Sequence, residues 1–219
     1  MKIPRNITVT GSFRAWGLEG LRDAAVRADE AGVEAIVLPD AIAPIDGGEA
    51  WPDALILIGW LAPVTRRIRL IGRISSLGHQ PYNLARRLAS LDLISGGRAG
   101  WMVEEGEAAA AFAAFSGESR LAGQDLTARQ EEFEKVVRGL WQSWDADALT
   151  LDKSSARFFK PEAMHPLNHN GALFSVRGPL NVMRSLAGAP ALLHAGELAD
   201  AVRMASAAEA MTLLGEASR

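Results

Sequence analysis

The chain has 219 residues, 48% of them hydrophobic and 22% charged, with a formal net charge of −3 and no cysteine. That length suits one sizeable core in a single domain, residues 1–219. The charge balance argues against a nucleic-acid partner, and the lack of cysteine excludes disulfides and thiolate metal sites, in keeping with a reducing cytoplasm. Met1 to Ser12 is mixed and polar, so no signal peptide is expected. The longest apolar run, Ala54 to Val64, falls short of the roughly 20 residues of a membrane span. The expectation is a soluble cytoplasmic protein with no membrane partner.

Ile7 to Thr10 is β-branched and reads as a first strand. Leu18, Leu21, Ala25 and Ala28 step along one helix face, which Gly32 ends. Ala35 to Leu38 is wholly apolar, as a strand covered on both faces requires, and it runs out at Pro39-Asp40. Pro52 opens a helix to about Leu61, and Ile68 to Ser75 follows as a third strand. Pro81 suits a helix start, because its missing N–H would be unpaired there anyway. Leu84, Leu88, Leu91 and Ile94 then share one face, Gly96 and Gly97 supply the positive-φ stop, and a strand restarts at Arg98 to Val103. Glu104 to Phe115 is alanine-rich and predicted helical, closed by Gly117. A longer helix is predicted from Thr127 to Trp144, with Phe133, Val136, Val137, Leu140, Trp141 and Trp144 in one stripe.

From about residue 145 to 190 the periodicity is lost, apart from a short strand candidate at Ala172 to Val176. An irregular insertion of that length is usually functional or covers something. Ala191 to His194 reads as a fifth strand, Leu198 to Ala207 as a helix, and Ala210 to Leu214 as a sixth strand. Six strand candidates alternating with helices give the βα rhythm of a parallel α/β barrel or open sheet.

Three blocks carry a resemblance. The first is PYNLARRLASLDLISGGRAGW, Pro81 to Trp101. The second runs from Glu132-Phe133 through Trp141 and Trp144 to Asp152-Lys153, and the third is Phe174 to Val182. Together they resemble the bacterial luciferase-like flavin-dependent monooxygenases, in the branch of nitrilotriacetate and dibenzothiophene-sulfone monooxygenases. The resemblance covers roughly residues 20 to 215. It implies a (β/α)8 TIM-barrel-like fold. Such barrels typically need about 250 residues, so about six βα units imply an incomplete barrel with an open edge where a second copy can pair. It also implies an enzyme that takes reduced FMN from a separate flavin reductase and oxygenates a small organic substrate with O₂. A non-catalytic alternative stays open: a shortened relative that binds flavin or serves as a partner subunit.

The resemblance also implies site residues, each with a plainer alternative. Asp40 falls where relatives carry an acid beside the flavin, or is a helix-capping aspartate. Ser75 and Ser76 match small hydroxyl residues near the flavin, or a solvated turn. Met102 stands where relatives usually have a flavin-facing asparagine; a thioether cannot supply amide donors, and core filling is its alternative. Glu104 and Glu105 replace neutral residues, and Thr127 replaces a tyrosine that faces the flavin in relatives. His194-Ala195-Gly196-Glu197-Leu198 matches a Gln-Ala-Gly-x-Ser turn that holds the FMN phosphate on backbone N–H groups. Here Glu197 brings a carboxylate that repels phosphate, or else simply complements a helix dipole. His79, His165 and His169 lack metal-ligand spacing, and no P-loop, GxGxxG, serine elbow or zinc motif is present. No residue is assigned as a catalytic base.

Overall fold

The computed structural model describes residues 4–40, 51–104, 125–198 and 200–217. Strands β1 (Asn6–Val9), β2 (Ala35–Pro39), β3 (Arg69–Ile74) and β4 (Ala99–Val103) lie side by side and parallel. Helices α1 (Phe13–Ala31), α2 (Ala54–Leu61) and α3 (Pro81–Ser95) make the three crossovers. Their ends follow local chemistry. Ser12 accepts the Ala15 N–H and Asp53 accepts those of Leu55 and Ile56, each filling orphan donors of a first turn. Gly32 and Gly96 close α1 and α3 in the left-handed region, at φ 84° and 70°, where a side chain would be strained.

Helix α4 (Leu126–Trp141) packs on α3, and its Trp141 indole donates to the Ala85 carbonyl at 3.0 Å. Five of the six stripe residues, Phe133, Val136, Val137, Leu140 and Trp141, are buried, but the helix ends at Trp141 rather than Trp144. Ser143 and Trp144 lie beyond it, and the Trp144 indole donates instead to the Leu180 carbonyl at 2.7 Å. Of the helix expected at 104–115, Glu104 is non-helical and continues the end of β4, while the remainder lies outside the described residues. Between α4 and the next sheet strand come two small antiparallel ribbons. They are β5 (Leu149–Asp152) with β6 (Arg157–Phe159), and β7 (His169–Asn170) with β8 (Ser175–Val176).

Strand β9 (Ala191–Leu193) then pairs with β4, and β10 (Val202–Met204) pairs with β1 at the far edge. The result is a six-stranded, wholly parallel sheet in the order β10-β1-β2-β3-β4-β9. The end of the chain departs from the sequence expectation. Residues 198–207 carry β10 instead of a helix, and 210–214 belong to helix α5 (Ala207–Ala217) instead of a strand. The physical reason is a capping exchange: the Ser206 hydroxyl accepts the Glu209 N–H at 3.2 Å, while the Glu209 carboxylate accepts the Ala205 N–H at 2.8 Å.

Side chains alternate across the strands. Ile7, Ile36, Leu70 and Trp101 face the helices in the main core, where Trp101 meets Phe133 of α4 edge-on at 5.8 Å. Ala35, Val37, Ile71 and Met102 form a second cluster on the opposite face. Because β9 and β10 are both parallel to β1, the connection between them must cross the sheet from edge to edge and return to its amino ends, and residues 194–198 and 200–201 are its described part. They do so over the second face: Leu198 packs on that cluster, and Asp200 accepts the Asn6 amide at 3.3 Å.

Candidate functional site

Ligands of parallel α/β sheets collect at the carboxyl ends of the strands, where loops rather than ladders set the chemistry. A cavity of about 640 Å³ lies at those ends here. Ser75 and Ser76 reach it from the end of β3, Glu104 from β4 and His194 from β9. Thr127, Gln130, Glu131 and Glu134 face it from α4. Its volume falls within the roughly 300–1,000 Å³ usual for small-molecule pockets.

The walls are built from below. Ser75 caps a single 3-10 turn, its hydroxyl accepting the Leu77 N–H at 3.3 Å. Arg129, buried under the wall, donates to the Ser76 carbonyl at 3.3 Å and lies over the Phe174 ring at 5.1 Å. Burial pulls its guanidinium below the ordinary value. Arg73 shares the second face of the sheet with Ile71 and Met102, and it pairs with Glu104 at 2.6 Å. His194 Nε2 lies 3.4 Å from the Glu134 carboxylate. Behind the cavity Glu132 fastens the β7–β8 ribbon to α4. It meets His169 Nε2 at 3.0 Å and accepts the N–H groups of Leu173 and Phe174 at 3.0 and 2.9 Å. The bond to His169 is the chief reason its carboxyl sits below the usual range.

Of the residues singled out in the sequence, Ser75, Ser76 and His194 converge on this cavity, with Glu104 and Thr127 beside them. Met102 does not line it but is buried in the second-face cluster. The Asp40 carboxylate accepts the Ala54 N–H at 3.3 Å, at the amino end of α2. Gly196 and Glu197 belong to a 3-10 turn, Ala195–Leu198, where the Glu197 carboxylate accepts the His194 N–H at 2.7 Å. Glu197 also lines a separate groove at the amino ends of the strands, with Arg5, Arg67 and Arg69. Sequence reading missed Arg73, Gln130, Glu131 and Glu134. A signal for the last three existed: together with Thr127 they occupy steps i, i+3, i+4 and i+7, a polar face opposite the Phe133 stripe.

A parallel sheet with covering helices and a ligand-sized cavity at its carboxyl ends defines a parallel α/β protein. Residues 7–216 match the family described as luciferase-like monooxygenase, and the chain belongs to that family. It is 38% identical over 201 residues to the N-acetyl-S-(2-succino)cysteine monooxygenase of Bacillus subtilis, covering 89% of this chain but 45% of that protein. It is 41% identical over 140 residues to nitrilotriacetate monooxygenase component A of Aminobacter aminovorans, covering 64% of this chain and 31% of that one. Among solved structures, a riboflavin lyase bound to a modified FMN and riboflavin superposes with a TM-score of 0.75 at 29% identity. That superposition covers 89% of this chain and 50% of the lyase. The chain thus spans about half the length of the relatives it matches.

FMN can be tested against the residues present. Ser75, Ser76, Thr127 and Gln130 offer hydroxyl and amide groups of the kind an uncharged flavin ring uses. The phosphate end has no comparable set among the described residues. None of the described lysines or arginines lines the cavity, and three carboxylates do. After His194 comes one 3-10 turn rather than the expected α-helix, and the N–H of His194 is already taken by Glu197. The residues fit the ring and do not fit the phosphate.

Proposed function

We propose that this chain is a flavin-using oxidoreductase that oxygenates a small organic substrate with O₂, using reduced flavin delivered by a separate flavin reductase. The observation that carries this reading is the cavity, where the ends of β3, β4 and β9 bring Ser75, Ser76 and His194 together under α4. In such chemistry the flavin reacts while the protein binds, orients and excludes water. The test supplies the chain with riboflavin or FMN, NADH, a general flavin reductase, ¹⁸O₂ and candidate substrates. Nitrilotriacetate and dibenzothiophene sulfone, named after two relatives, are suitable candidates. A product carrying one ¹⁸O atom, formed only with the chain present, supports the proposal. Flavin binding without labelled product for any substrate favours a second reading, a flavin-binding or partner-subunit protein. That reading draws on Leu198, which packs on the second face of the sheet where a barrel interior would be.

A further inference from the structure

The charge of the cavity bears on which form of flavin it takes. Glu104, Glu131 and Glu134 line it. Arg73 pairs with Glu104 at 2.6 Å and offsets that charge, while Arg129 is taken by the Ser76 carbonyl and the Phe174 ring, so Glu131 and Glu134 set the sign of the cavity. Carboxylates accept hydrogen bonds and give none when ionised. Riboflavin ends its ribityl chain in a hydroxyl that can donate to them, whereas FMN ends the same chain in a phosphate ester carrying about −1.5 to −2 charges at pH 7. We infer that the cavity takes flavin without its phosphate, selecting riboflavin over FMN. The inference rests on the reading of this cavity as the flavin site, and it adds which flavin enters.

Quenching of flavin fluorescence by the purified chain measures both affinities. At low ionic strength riboflavin should bind at least tenfold more tightly than FMN. Salt at 0.5 M should narrow that ratio by screening the carboxylates. Glu131→Gln with Glu134→Gln should narrow it as well, by tightening FMN and weakening riboflavin. The salt series on the parent protein keeps the test decisive if the double variant fails to fold. Equal affinity, or tighter FMN, overturns the inference and leaves the flavin site standing. Absence of binding by either flavin overturns both the inference and the site assignment beneath it.

Discussion

Asp29, near the end of α1, is 7% exposed, and its carboxylate accepts the backbone N–H groups of Arg66, Arg67 and Ile68 at 2.9, 2.7 and 2.7 Å. It therefore ties the helix to the start of β3. Burial alone would raise its carboxyl, yet the three N–H donors together hold it below 3.8. A depressed folded value means that the stabilisation is fully present above about pH 3.8 and is lost as pH falls through the folded value. Asp29→Ala should cost about 1.5–3 kcal/mol by urea titration at pH 7, and the gap to the parent should shrink below pH 3.8. The Arg73–Glu104 pair differs in kind, because it is a charge pair on a sheet face with side chains 27% and 15% exposed. Glu104→Leu alone leaves Arg73 unpaired and should destabilise by under about 3 kcal/mol, and adding Arg73→Met should recover most of that loss. A double variant no more stable than the single one would show that the pair contributes nothing through charge.

Among the elements, α4 was the most legible, because five apolar residues on one face have a single physical solution, burial against the sheet and α3. Leu140 is fully buried, so Leu140→Ala should cost about 2–5 kcal/mol in denaturant, and a loss under about 1 kcal/mol would contradict that packing. The segment from Leu198 to Leu214 was not legible in the same way. Its alanine-rich composition permits helix almost anywhere, and β10 exists because Val202 pairs with Ile7 at the other end of the chain. The local clue was Ser206-Ala-Ala-Glu209, which places a helix start where the periodicity did not. The site divides similarly. Ser75, Ser76 and His194 could be found because strand ends mark them. Glu131 and Glu134 carried only a weak signal, because a polar helix face reads as solvated until another element is known to stand across from it.

At the scale of the molecule, β9 and β10 are three-residue strands, each paired on one side only among the described residues. Unpaired edges invite pairing with another chain, and Leu186, Ile94 and Phe158 are exposed besides. We expect self-association at micromolar concentration; light scattering on a sizing column that finds only a folded species of 23.4 kDa would refute it. The central claim, however, is where flavin goes. Amide hydrogen exchange with and without saturating riboflavin reads this directly. The account predicts slowed exchange at Ser75 to Leu77, along Thr127 to Glu134 and at His194, with no change near Arg5 or Arg67 to Arg69. Slowing confined to the groove at the amino ends of the strands, or no slowing anywhere, would contradict it.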